Sequence, residues 1–114
     1  MAIRQSHDAQ IGGAFMIRGT SPTITCEFPF DVSTLSYAYF TIAQNERIML
    51  NKKIECEGLE GRQIKIHLTQ EETLKLKENL QAEAQVRGIT RDGEAIASDI
   101  IKIYVDKILK DGVI

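Results

Sequence analysis

From Leu80 to Val105 the chain consists of two alternating runs arranged around Asp92-Gly93, and few folds can accommodate such a segment. An Asp-Gly pair between apolar runs is a strong hairpin signal, because a type I′ turn needs positive φ at both central residues. With those two residues as the loop, Leu80 faces Val105, Ala82 faces Ile103 and Ala84 faces Ile101, all on one side of the ribbon. On the other side Gln81 faces Tyr104 and Glu83 faces Lys102. An opposite-charge pair of this kind adds a few tenths of a kcal/mol and supports the same register. Nearer the turn the apolar side swaps in both strands together, so that Ile89 faces Ile96 on the outer side and Ile100 stands opposite Gln85.

The same alternation runs through the rest of the chain. Ile24, Cys26, Phe28 and Phe30 share one face of a strand that Pro29 ends or confines to an edge. Ala38, Phe40 and Ile42 share a face of the next strand, and Ile48 and Leu50 a face of the one after it. A three-residue loop at Gln44-Asn45-Glu46 pairs Ile42 with Ile48 and Phe40 with Leu50. A two-residue loop would set Ile42 against Met49 and turn the side chains over, so the pattern selects the longer loop. Residues 52–57 read as a further short strand, and Gly58 to Gly61 as a turn. Ile64, Ile66 and Leu68 then point inward, between outward Lys65 and His67. Thr69 followed by Glu72 is a capping box that opens a short helical turn through about Lys75, with Leu74 and Leu76 leaning on the sandwich.

Short strands separated by turn residues, with too little helix for βαβ units, predict an all-β, immunoglobulin-like antiparallel sandwich of about seven strands with one short helical turn. Residues 1–13 are polar, lack a period and end in Gly12-Gly13, which predicts a flexible N-terminal tail followed by the β-sandwich domain at 14–114. The 114 residues are enough for one domain with its own core.

The chemistry-bearing residues are sparse. The net charge is −2 and the basic residues are scattered, against a nucleic-acid partner. No segment approaches the ~20 apolar residues that span a bilayer, and the polar opening has no signal-type apolar run, so no membrane role is expected. Cys26 and Cys56 are too few for a disulfide framework, and Cys26 has the parity of a core residue. His7 and His67 cannot form a three-histidine zinc site. Glu55, Glu57, Glu60, Glu71 and Glu72 flank turns or open the helix, where the dipole favours them. No serine lies in a nucleophile elbow, and no glycine run matches a phosphate loop. The expectation is a protein without catalytic residues, metal or cofactor, hence not an enzyme. Tyr37, Tyr39 and Met49 are expected to form one outward patch and Ile89, Ile96 and Ile100 a second, both candidate interfaces because aromatics and Met are enriched where proteins meet.

Four segments in order carry a resemblance: RGTSPTITCEFPFD (18–31), LTQEET (68–73), QVRGITRDG (85–93) and SDIIK (98–102). In these the chain resembles a group of small proteins encoded among the tail or baseplate genes of phages and prophages of Firmicutes, over residues 18 to about 106. More loosely it is similar to the N-terminal domain of baseplate upper proteins. The resemblance implies a virion structural protein, made in the bacterial host cytoplasm, whose partners are other phage structural proteins or copies of itself as a homo-oligomer. It supplies no catalytic residues, and its motifs read as fold signatures. The alternative function is a carbohydrate-binding β-sandwich module, with Tyr37 and Tyr39 as its aromatic platform.

Overall fold

A computed structural model describes residues 2–6 and 15–114. In chain order the strands are β1 (Ala2–Ser6), β2 (Phe15–Ile17), β3 (Thr23–Glu27), β4 (Leu35–Gln44), β5 (Arg47–Glu55), β6 (Gln63–His67), β7 (Leu80–Thr90), β8 (Ala95–Ala97) and β9 (Ile101–Asp106). A 3-10 turn, Val32–Thr34, precedes β4, and a short helix, α1 (Gln70–Leu74), follows β6. One sheet has the order β1-β3-β6; the other has the order β2-β9-β7-β4-β5, with β8 also pairing β7. Every pair is antiparallel except β2 with β9.

The expected two-layer sandwich is what forms. Ile24, Cys26, Ile64 and Ile66 from the small sheet meet Ala38, Phe40, Ile42, Ala82, Ala84, Val86, Ile103 and Val105 from the large one, all buried. Each of the buried Ile, Val and Phe side chains contributes roughly 1.5–3 kcal/mol on leaving water, which is what holds the layers face to face.

The N-terminal expectation needs correction. Ala2–Ser6 is an edge strand paired residue by residue with Thr23–Glu27, so the sandwich begins well before residue 14. Such a strand gains its stability from backbone pairing and needs no apolar period, which is why the sequence there reads as a tail. Residue 1 and residues 7–14 lie outside the described residues, and the expectation of flexibility at Gly12-Gly13 lies there too.

Both hairpin turns also differ from expectation. Asn45 and Glu46 have φ of 50° and 64° and form a two-residue loop between the paired Gln44 and Arg47. Ala43 pairs with Ile48 and Ile42 with Leu50, so Met49 is the extra residue of a bulge. The bulge restores the inward set after the short loop. It leaves Ile48 64% exposed and turns Met49 to the edge of the core, the reverse of the expected assignment.

In the last hairpin the far pairing is as expected, from Leu80 with Val105 to Ala84 with Ile101. Near the turn, however, Ile89 pairs with Ala95 and Gly88 with Ile96. The loop is Arg91-Asp92-Gly93: the Gly93 amide donates to Thr90 O (3.0 Å), and only Gly93 of the three has positive φ. This is a type I turn closed by a glycine bulge, which uses Asp-Gly as readily as a type I′ turn does. The residue lost there is recovered at a second bulge, where Asp99 and Ile100 together stand opposite Gln85. The Val86 amide donates to Ser98 Oγ (3.0 Å), the Ser98 hydroxyl to Asp99 O (2.9 Å) and Gln85 Nε2 to Ser98 O (2.9 Å).

Candidate functional site

The motif residues account for themselves structurally. The Arg18 guanidinium donates to Leu74 O (3.0 Å) and Leu76 O (2.9 Å), satisfying carbonyls at the C-terminal end of α1, and to Asp111 (3.0 Å). That arginine holds the Asp111 carboxyl below the usual carboxylate range. A Cβ at Gly19 would lie 2.8 Å from Ile108 Cδ1 and 3.3 Å from Leu74 Cδ2, so Gly19 lets the segment close on the helix. The Thr73 hydroxyl donates to Thr20 O (2.7 Å). At the other end of α1 the capping box is complete: Glu72 N donates to Thr69 Oγ1 and Thr69 N to Glu72 Oε1. Segments 18–20 and 68–73 therefore meet at one corner, and segments 85–93 and 98–102 meet at the second bulge. None of the four contributes a reactive constellation.

The two thiols are buried; burial pushes Cys26 up to about 11 and raises Cys56 as well, which keeps both protonated and weakly nucleophilic near neutrality. Among the described residues, no group of three or more His, Cys, Asp or Glu is placed to hold a metal ion. His67 Nδ1 shares a hydrogen bond with Thr23 Oγ1 (2.8 Å) on the exposed side of the small sheet.

The candidate site is the outer face of β4, β5 and β7. Register lays it out as rows. Tyr37 stands between Glu55 and Ile89, Tyr39 between Lys53 and Arg87, Thr41 between Asn51 and Gln85, and Ala43 between Ile48 and Glu83. Beyond β7, Ala95 and Ala97 of β8 extend the first two rows. Together these form an open groove of about 480 Å³, lined by Tyr37, Tyr39, Ile48, Arg87 and Ile89 among others. The two tyrosine rings meet edge to face, 6.0 Å apart at 87°. Lys53 Nζ sits 4.6 Å from the centre of the Tyr37 ring and 3.2 Å from Glu55, whose carboxylate accepts from it and raises its pKa. The Thr41 hydroxyl donates to Asn51 Oδ1 (2.8 Å).

Of the six residues singled out from sequence, Tyr37, Tyr39 and Ile89 come together here. Met49 does not: the bulge turns it away toward Leu74, Leu76 and Ile108. Ile48 takes its place. Ile96 leans over Gly88, on the side of the sheet that carries buried Ala38, and packs at the margin of the core. Ile100 is 54% exposed at the second bulge, outside the groove. The expected Ile89/Ile96/Ile100 patch is therefore not one surface, because the glycine-bulge turn shifts Ile96 by one place. Sequence reading missed Arg87: strand parity puts it on the face of Ile89, two residues away, but only the pairing of β7 with β4 sets it opposite Tyr39.

No family model matches the chain, and no curated protein does. Among solved structures it is similar to the fibronectin(III)-like modules of Clostridium thermocellum CbhA, with 12% identity over 96% of this chain and 99% of that one, at a TM-score of 0.50. The fold is an immunoglobulin-like β-sandwich, as in those modules. At that identity the likeness concerns the fold alone, and function has to be argued from the site.

Proposed function

We propose that this chain is a phage or prophage structural protein of the tail or baseplate, acting by contact with neighbouring tail proteins or with copies of itself. The observation that carries the reading is the groove across β4, β5 and β7. Two tyrosines and two isoleucines are left on the outer face of a sheet whose opposite face already supplies the core. Open apolar surface rimmed by polar residues is what interfaces use. The four ordered motifs that resemble phage proteins support the same reading, and the roles found for them as helix caps and bulge struts suit a scaffold. In this reading the chain performs no chemistry of its own.

The test is mass spectrometry of purified particles, together with light scattering of the chain alone and mixed with each tail protein encoded beside it. The expected result is the chain in the particle fraction and a complex that Tyr39→Ala weakens. A monomer at high concentration that binds none of those proteins and is absent from particles overturns the proposal.

A second reading, a carbohydrate-binding module, draws on the same groove, where Thr41, Asn51 and Gln85 set polar groups beside the tyrosines. Its test is a glycan array: reproducible binding lost on Tyr37→Ala favours it, and a blank array removes it.

A further inference from the structure

The groove has a direction, and one of its ends carries a charge. Its rows follow β4 from Tyr37 to Ala43, six steps along the strand, so the apolar ends at Ile89 and Ile48 are offset by about 20 Å along it at ~3.3 Å per residue. Between those ends sits Arg87. It is exposed, and among the described residues its guanidinium makes no ion pair. Beside it Lys53 is already matched by Glu55. The rows of Tyr37 and Tyr39 thus hold two cations and one carboxylate, a positive excess confined to that end of the groove, while Glu83 stands at the other end beside Ala43.

Resting on the contact reading above, we propose that the groove receives an extended segment of a partner protein, with an acidic side chain set between two apolar ones. A segment of about seven residues spans the length. Alternate side chains of such a segment face the groove. The first would lie against Tyr37 and Ile89. The second, an Asp or Glu, would reach Arg87 beside the Tyr39 ring. A third, polar one would lie over Thr41 and Gln85, and a fourth, apolar one against Ile48. Arginine suits this role because its planar fork binds a carboxylate through two parallel hydrogen bonds. A polypeptide fits better than a sugar. The two rings stand at 87° and offer no flat platform, and the isoleucines at the ends provide nothing for hydroxyl groups.

The experiment is selection of a random ribosome-displayed heptapeptide library on the full chain. The expected outcome is enrichment of Asp or Glu with apolar residues two places before it and four places after it. The Arg87→Glu variant is expected to enrich Lys or Arg at that same position. In fluorescence anisotropy the labelled peptide Val-Thr-Glu-Thr-Gln-Thr-Leu is expected to lose about tenfold in affinity when its Glu is replaced by Gln, the usual size for a charge-assisted hydrogen bond. Arg87→Gln is expected to cause a loss of the same size. Because Arg87 is exposed, both variants should melt with the parent, and circular dichroism checks this. An unenriched library, or an enriched motif that ignores Arg87→Glu, overturns the inference. So does a blank peptide selection alongside array binding of uronic-acid oligosaccharides that depends on Arg87. The proposed tail role fails separately, by absence from particles. Peptide binding without particle incorporation, or the reverse, tells the two apart.

Discussion

In the hairpin of β4 and β5 the turn is two residues long and its correction, the bulge at Met49, follows almost at once. In the hairpin that β7 makes with β8 and β9 the turn carries its own glycine bulge, and a second bulge is needed at Asp99-Ile100 before the far half is in register. The two are held differently. Beside the first bulge the register rests on apolar packing of Ile42 and Leu50, with buried Gln44 tying the strand end to Lys77 N (2.8 Å) and Lys77 O (2.9 Å). At the second bulge a single hydroxyl, that of Ser98, replaces a missing ladder bond. The comparison shows that a one-residue error at a turn leaves the core intact as long as a bulge absorbs it, and that each bulge selects which side chains reach the outer face.

The largest expected effect separates packing from exposure in the first hairpin. Leu50 is 6% exposed and Ile48 64%. Leu50→Ala is expected to cost about 2–5 kcal/mol in urea unfolding, and Ile48→Ala to stay within about 0.5 kcal/mol of the parent. Equal losses would mean that Ile48 packs inside after all and that the Met49 bulge is misplaced.

That pair also marks where sequence reading stops. Strand parity far from turns was readable throughout: Phe40, Ile42, Leu50, Ala82, Ala84, Ile103 and Val105 are all buried as their spacing requires. The capping box at Thr69 and Glu72 was equally readable, because it depends on two residues three apart. The turns are the reverse of what their composition predicts, two residues at Asn45-Glu46 and three at Arg91-Asp92-Gly93. Asp92-Gly93 suits both a type I′ turn and a glycine-bulge loop, whereas Glu46 at positive φ carries no compositional signal at all. Every misplaced site residue follows from this. Met49 is itself the bulge residue beside the first turn, and Ile96 lies between the second turn and its bulge, where a one-residue shift changes the face. Tyr37 and Tyr39 lie beyond the bulge and reach the groove as read; Ile89 reaches it too, because β7 keeps its own alternation.

The second hairpin is the next to break. Ser98 is 5% exposed and its hydroxyl accepts from the Val86 amide, so Ser98→Ala leaves a buried donor without a partner. The expected loss is about 1–3 kcal/mol, with faster hydrogen exchange at Val86. Unchanged exchange there would show that the bulge satisfies its amide by another route.

The two turns are then expected to respond with opposite signs. Gly93 has φ of 89°, where a Cβ is strained, so Gly93→Ala should cost about 1 kcal/mol. Glu46 already bears such strain at φ 64°, so Glu46→Gly should gain about 0.5–1 kcal/mol. Melting temperatures moving in the same direction would contradict the turn assignments.

The smallest effect concerns acid, and it distinguishes a charged tie from a neutral one. Lys52 of β5 donates to His67 O (2.7 Å) and to Glu72 Oε1 (3.1 Å), linking the first hairpin to the small sheet and the helix cap. Partial burial would raise the Glu72 carboxyl, but the Thr69 amide and the Lys52 ammonium outweigh it and hold the pKa below its ordinary 4.5. A carboxyl lowered on folding stabilises fully above its unfolded value, and that contribution is lost as pH falls through the folded value. Between pH 6 and pH 3 the parent should therefore lose more stability than Glu72→Gln, by a few tenths to about 1 kcal/mol. Hydrogen exchange should quicken along β5 before it does along β9, whose bulge is tied by a serine hydroxyl that does not titrate. Parallel stability curves for parent and variant would mean that the Lys52–Glu72 contact contributes nothing, and that packing alone holds the first hairpin at every pH.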